Sequence, residues 1–393
     1  MTNPSIGVAV IGGGMAGRAH AAGYRSASTL FGTERPDVRL VAIADTNEAV
    51  ADDTARRYGY ERAEYDWRAI AEAPDIDAVS VVVANHLHRE IVEGLLAAGK
   101  HVLCEKPLAG SLADAEAMVA AAEGSDRVTA VGYTYRRSPA VEQIRRELAA
   151  GTIGELVHFN GRYWCDYALS PQVPMAWRYK GRPGTGALAD IGSHLIDVAE
   201  FLCGPVVSVS GATFTTKVLE RALPLGTTYG HARAELSDVL EPVENDDVAT
   251  FTAHFENGAV GTFSISRIAP GHANSMAFDV MAQHGGVKWD MDRPAEFSII
   301  RRLRDDGFDG YNRVLAGPAH PYVKGGLPMD FPGVSYGVGD LFGYQARAFL
   351  EQVAGIKGLP PVAPFEDGVR DLQIIDAVTR SAEANGATIS VAP

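Results

Sequence analysis

Short apolar runs alternate with mixed, helix-period stretches through residues 6–132. The runs at 6–11, 38–44, 78–83, 101–104 and 128–132 are short and apolar, and read as strands buried on both faces. Residues 48–58, 67–73, 89–98 and 111–122 read as helices, and a further helix starts at Met15. Ser111 stands where an N-cap belongs, and Gly99 where a helix ends. Strands and helices in this alternation predict a parallel sheet. Residues 25–37 read as an extended loop.

From Pro139 the pattern changes. A helix over 140–149 is followed by longer, alternating segments at 156–163, 206–215, 249–255, 259–266 and 277–282. Alternation predicts a mostly antiparallel sheet with one covered and one open face. Helices over 193–202, 341–353 and 368–384 flank it. Residues 219–244 and 294–338 are rich in Gly, Pro and turn residues and read as long loops. The expected division is a first domain over 1–133 and a second over 134–393.

Composition narrows the function classes. A chain of 393 residues exceeds one ordinary core, so two domains are expected. A formal charge of −14 argues against nucleic acid or an anionic membrane as partner. No apolar run approaches the ~18 residues of a membrane span. No basic segment precedes the first apolar run, so no signal peptide is expected and the location reads as cytoplasmic. Cys104, Cys165 and Cys203 are widely spaced and read as small buried hydrophobes. The histidines show no metal-ligand spacing, and no metal is expected.

The chemistry begins where the first strand ends. Gly12, Gly14 and Gly17 fit G-x-G-x-x-G, in which the glycines allow a tight turn, approach of a pyrophosphate and close helix packing. With Met15 and Ala16 they form a cofactor loop at a helix N-terminus. The second strand ends in Asp45, placed to hold a ribose 2′-OH or, more plainly, to cap the next helix. Thr46 and Asn47 follow it, with no cation for a 2′-phosphate, so NAD is expected over NADP. Two clusters follow later strands, where ligands of open α/β sheets bind. One is Asn85-His86-Leu87-His88, with Asn85 facing cofactor or substrate and His88 either on the cofactor or capping a helix. The other is Cys104-Glu105-Lys106-Pro107, with Glu105 on the cofactor side and Lys106 either reaching the nicotinamide end or merely solvated. Farther on, Asp190 and His194 lie one helical turn apart. A carboxylate beside an imidazole suits a general base, although an N-cap and a packing histidine fit the same spacing.

The ordered set Gly12-x-Gly14-x-x-Gly17, Asn85-x-x-His88, Glu105-Lys106-Pro107, Trp177-Arg178 and Asp190-x-x-x-His194 closely resembles the glucose–fructose oxidoreductase/inositol dehydrogenase (Gfo/Idh/MocA) family. The resemblance covers nearly the whole chain, including Asp367-Gly368 before the last helix. It implies an α/β protein: an N-terminal Rossmann domain and a C-terminal α+β domain on an open, mostly antiparallel sheet. It also implies hydride transfer between a secondary alcohol of a sugar or inositol-like polyol and a nicotinamide. Lys106 would bind the reacting oxygen, His194 would act as acid/base, and Asp190 would orient substrate or histidine. The Lys106–Pro107 peptide is expected to be cis, as in some relatives, and a homodimer or homotetramer is expected through the open sheet face. Tyr163 and Arg178 are substrate-side candidates, with an interdomain salt bridge equally open for Arg178. Tyr311, His320 and Tyr322 could also face substrate. Two departures stand out: Val83-Ala84 where the family often has Thr-Pro, and Gly184-Thr185-Gly186 where it often has consecutive glycines. A glycoside hydrolase with a recycled NAD, and a dinucleotide sensor without turnover, are the rival readings.

Overall fold

The structure, a computed structural model, describes residues 5–31, 36–226, 234–301, 310–326, 329–331 and 333–392. The chain forms two compact units, Met1–Pro139 with Ala316–Arg370, and Ala140–Leu315 with Asp371–Pro393.

The first unit opens with β1 (Ser5–Ile11), α1 (Met15–Leu30), β2 (Asp37–Ala44), α2 (Glu48–Tyr58), β3 (Arg62–Glu64), α3 (Trp67–Glu72) and β4 (Ala78–Val81). It continues through α4 (His88–Ala97), β5 (His101–Cys104), α5 (Leu112–Glu123) and β6 (Thr129–Val131). The sheet order is β3-β2-β1-β4-β5-β6, all parallel, which is the Rossmann order. Every residue from Ile6 to Ile11 is buried, as a strand covered on both faces requires. Asn47 caps α2 by accepting from Val50 N, and Ser111 caps α5 by accepting from Asp114 N.

Residues 25–30 are not loop; they complete α1. The buried stripe of that helix is Gly17, His20, Ala21, Gly23, Tyr24 and Ala27, small or polar types that do not register as an apolar helix face. Residues 32–35 of the expected loop lie outside the described residues. The short edge strand β3 went unread because Arg62 and Glu64 are charged and pair with each other.

The second unit runs through α6 (Pro139–Ala149), β7 (Leu156–Cys165), α7 (Ser193–Cys203), β8 (Val206–Thr215), β9 (Glu220–Pro224) and β10 (Leu236–Pro242). It adds β11 (Val248–Phe255), β12 (Val260–Ser266), β13 (Asn274–Ala282), β14 (Gly285–Asp290), β15 (Glu296–Ile300) and β16 (Asn312–Leu315). The chain returns to the first unit for α8 (Asp340–Val353), then closes with α9 (Phe365–Glu383) and β17 (Ile389–Ser390). Nine strands form one sheet in the order β16-β15-β14-β13-β7-β12-β11-β8-β17. Among the described pairs of this sheet, only β7–β12 is parallel. Phe159 of β7 anchors its covered face, with ring centroids of Phe255, Phe263 and Phe278 at 6.4, 5.2 and 6.0 Å.

Each of the two expected long loops contains strand. Residues 220–224 and 236–242 form the β9–β10 hairpin, and β15 and β16 pair within 294–338. Residues 227–233, 302–309, 327–328 and 332 of those stretches lie outside the described residues.

The expected second domain, 134–393, is also interrupted, because residues 316–370 group with the first unit. The reason is packing on the parallel-sheet lobe. Gly23 of α1 sits so close to α8 that a Cβ there would stand 2.7 Å from Phe342 O. Val131 N at the end of β6 donates to Ala363 O at 2.8 Å. The buried Arg137 guanidinium donates to the carbonyls of Pro360 and Pro361. Its plane also covers Tyr322, which is 1 % exposed. Tyr311, in the second unit, lies under the Lys288 ammonium at 4.5 Å.

Candidate active site

In the first unit the candidate residues sit at the carboxyl ends of β1, β2, β4 and β5, where an open parallel sheet binds ligands. Gly12 has φ +102°, and a Cβ on it would meet Val82 O at 2.0 Å. A Cβ on Gly17 would lie 1.7 Å from Gly12 O, so only glycine lets α1 leave the strand here. A Cβ on Gly14 would meet nothing within 4 Å. That clear approach to backbone at the start of α1 fits a pyrophosphate cradle, and Met15 and Ala16 form the first turn beside it. Asp45 binds across the loop: Oδ2 accepts from Gly13 N at 2.8 Å and Oδ1 from Asn47 N at 2.9 Å. The cap of α2 is Asn47, so the plain capping role expected for Asp45 belongs to its neighbour.

Lys106 is half-buried just past β5, and its peptide with Pro107 is cis. Glu105 turns inward. Its Oε1 pairs with His20 Nε2 at 2.9 Å and its Oε2 accepts from Lys106 N at 3.1 Å. His20 Nδ1 in turn meets Ser80 Oγ at 3.0 Å, and Tyr24 OH meets the same oxygen at 2.8 Å. This buried chain fixes the backbone that carries Lys106, and desolvation raises the Tyr24 phenol far above its ordinary range. His88 is 1 % exposed, with Nδ1 at 3.1 Å from Leu108 O and Nε2 at 3.1 Å from Val83 O. Burial pushes its imidazole pKa down, and the neutral ring, with a single N–H, donates to one of these two carbonyls while packing between the segment after β4 and the loop after Pro107. Glu105 and His88, both expected on the cofactor side, thus also have protein partners. Asn85 lies half-buried in a short turn before α4. Cys104 is buried, which lifts its thiol well above the usual range and leaves it inert.

In the second unit Asp190 and His194 are half-buried on successive helical turns, but the first turn is wider than expected. Residues Leu188–Gly192 form a π-helical turn, closed by Ser193 N donating to Leu188 O, before α7 begins. Such turns recur at functional sites. Asp190 is no N-cap; its Oδ2 accepts from Tyr167 OH at 2.6 Å. The ring of His194 lies 6.2 Å from that of Tyr163, which is buried on β7. Arg178 stacks on Trp177 at 4.6 Å.

The amides at the head of this helix are held by Asp246, which sequence reasoning missed. Its Oδ1 accepts from Gly184 N at 2.7 Å and Gly186 N at 3.0 Å, and its Oδ2 from Leu188 N at 2.9 Å. A Cβ on Gly186 would stand 2.2 Å from Asp246 O, so this glycine is needed even though the family's usual run of glycines is broken. Asp247 pairs with Arg267 Nε at 2.8 Å, and Arg267 also donates to Asn245 Oδ1 at 2.9 Å and to Arg178 O at 3.2 Å. Arg221 and Arg267 both lie over Tyr179, at 4.1 and 4.8 Å. The available signal was three polar residues, 245–247, directly ahead of an alternating strand, answered by an arginine directly after the next one.

Residues 6–133 match the family model described as the oxidoreductase family with an NAD-binding Rossmann fold. Residues 141–288 match the Gfo/Idh/MocA C-terminal domain. The levoglucosan dehydrogenase of Pseudarthrobacter phenanthrenivorans is 35 % identical over 387 residues, covering 96 % of each chain. The chain belongs to the Gfo/Idh/MocA family. Membership makes it an oxidoreductase with an NAD-binding Rossmann domain. A myo-inositol 2-dehydrogenase of Thermotoga maritima is 26 % identical, over 89 % of this chain and 98 % of its own. Among solved structures, levoglucosan dehydrogenase in complex with NADH and levoglucosan matches with TM-score 0.88 at 32 % identity, over 99 % of this chain and all of its own. Like other Gfo/Idh/MocA proteins, this one joins a parallel-sheet lobe to a largely antiparallel one.

Proposed function

We propose that this protein oxidises a secondary alcohol of a sugar or cyclic polyol with NAD, and that an anhydrosugar of the levoglucosan type is the substrate to test first. The observation that carries this reading is that Lys106, Asp190 and His194 are all present and all half-buried, in a chain that keeps the glycine loop and Asp45. Bound NAD supplies the hydride acceptor. The glycine loop from Gly12 to Gly17, with Met15 and Ala16, cradles the pyrophosphate through the first N–H groups of α1, and Asp45 accepts from the ribose. Asn85 adds a polar contact. Lys106 donates to the reacting oxygen and stabilises the charge that grows on it. His194 removes the hydroxyl proton and returns it in the reverse direction. Asp190 orients substrate or imidazole, while Tyr163 and Arg178 stand on the substrate side. Glu105 and His88 hold backbone.

The test is absorbance of NADH with NAD and a panel of anhydrosugars, monosaccharides, inositols and glycosides. NADH appearing with one class supports the reading and names the class. Sugar released from a glycoside with no NADH would replace it by the hydrolase, which no residue described above favours. NAD binding with neither product would leave the sensor.

Asp45 sets the cofactor preference in this reading. Asp45→Ser lowers kcat/KM with NAD relative to NADP by about 10- to 100-fold, the worth of one hydrogen bond to a charged group. Paired steady-state measurements with the two cofactors check this, and an unchanged ratio would remove Asp45 from the ribose.

We also propose a cytoplasmic location, in keeping with three buried free cysteines, and a homo-oligomer paired through the uncovered sheet face, where Val157 and Val207 are exposed. Sedimentation velocity reads the assembly directly, and a monomer at micromolar concentration would end that part of the proposal. Among the described residues no helix is long and apolar enough to cross a membrane.

A further inference from the structure

Tyr167 lies between β7 and the turn preceding α7, and no motif of the sequence drew attention to it. Its hydroxyl donates to Asp190 Oδ2 at 2.6 Å, the length of a strong bond from a hydroxyl to a carboxylate. Burial and the negative charge of Asp190 hold its phenol well above the usual range, so at neutral pH it is always a donor. It sits in a deliberately polar setting. Arg267 and Tyr179 also face the phenol, and Tyr179 is bracketed by Arg221, Arg267 and Arg178. The guanidinium of Arg267 is committed to Asp247 and Asn245, and that of Arg221 to the carbonyls of Ala168, Ser170 and Val173. The Tyr167 phenol donates directly to the Asp190 carboxylate.

We propose that Tyr167 is a positioning residue for the alcohol oxidation: it anchors one carboxylate oxygen of Asp190 and thereby sets the orientation and charge that the other oxygen presents. The inference rests on the role given to Asp190 under Proposed function. A carboxylate without this donor rotates more freely and carries a less neutralised charge. Both its own pKa and that of a nearby imidazole then rise. Tyr167 touches no reacting atom in this account and acts only through Asp190.

The experiment is a double-mutant cycle on the full-length protein with NAD and the best substrate of the panel, using Y167F, D190N and the double variant. NAD affinity and the thermal midpoint are measured alongside. Y167F is expected to lose about tenfold in kcat, the worth of one hydrogen bond to a charged group, with NAD affinity unchanged. Its acid limb of kcat/KM moves to higher pH. In the D190N background the same change costs nothing further. A fluorinated tyrosine placed at 167 keeps the shape and strengthens the donor, so it moves the acid limb to lower pH; it also serves if Y167F does not fold. Wild-type kcat and acid limb in Y167F, with D190N impaired, overturn the proposal and leave the role of Asp190 standing. Equal losses from Y167F in both backgrounds also overturn it, because Tyr167 would then act independently. Wild-type activity in D190N removes the role of Asp190 itself.

Discussion

Replacing Lys106 by alanine lowers kcat roughly 10³-fold and leaves NAD binding nearly unchanged, the scale expected when a preorganised charge is removed from a developing oxyanion. The asymmetry follows from where the groups sit. In the proposed reading, cofactor binding uses the backbone around Gly14 and the carboxylate of Asp45. Neither depends on the lysine side chain. The backbone of Lys106 is separately secured by Glu105 and His20, so truncating the side chain leaves the turn in place. Lys106→Arg keeps the charge but spreads it over a planar fork, and recovers only part of the loss. Turnover from NADH absorbance and NAD affinity from fluorescence titration decide the matter. A variant that turns over normally but no longer binds NAD would assign Lys106 to the cofactor instead.

Asp246→Ala destabilises the second unit by about 3–5 kcal/mol, because three buried amides lose their acceptor together and each costs ~1–3 kcal/mol when unsatisfied. Those amides, at 184, 186 and 188, precede the turn that bears Asp190. Asp246 itself is fully buried, so water does not replace it. Asp246→Asn is the milder change: one oxygen still accepts, while the amide NH₂ faces a backbone donor it cannot satisfy. Urea denaturation followed by fluorescence reads the loss, and a shift below about 1 kcal/mol would show that the head of α7 is held by something else. Activity should fall with stability, since the same turn positions His194.

The parallel-sheet lobe was largely legible because its signals are local. Gly12, Gly14 and Gly17 announce themselves by spacing, and Asp45 by its place at the end of β2. The alternation of β7, β11, β12 and β13 likewise marked the second sheet. What stayed hidden depends on partners distant in sequence. Asp246 acts 58 residues away from Leu188, and Tyr167 acts 23 residues away from Asp190. His20 reads as an ordinary helix residue until Glu105, 85 positions later, is folded against it. The last turns of α1 were lost because Ala27 is the only buried residue from 25 to 30, too little for an apolar stripe to register. The π-helical turn at Leu188–Gly192 has no hydrophobic period of its own to read.

The return of residues 316–370 to the first unit has a consequence for synthesis. Strands β1 to β6 of the nucleotide-binding lobe emerge from the ribosome before the second unit, yet α8, which packs on α1, and Ala363, which extends the hydrogen bonding of β6, emerge only after Leu315. Through most of translation the lobe is a sheet with an uncovered helix face and an incomplete edge. The intervening unit, Ala140–Leu315, is made in the meantime and still lacks its own closing strand β17. Both halves thus reach completion only after residue 340, so a nascent polypeptide stalled before it holds neither a finished cofactor lobe nor a finished sheet.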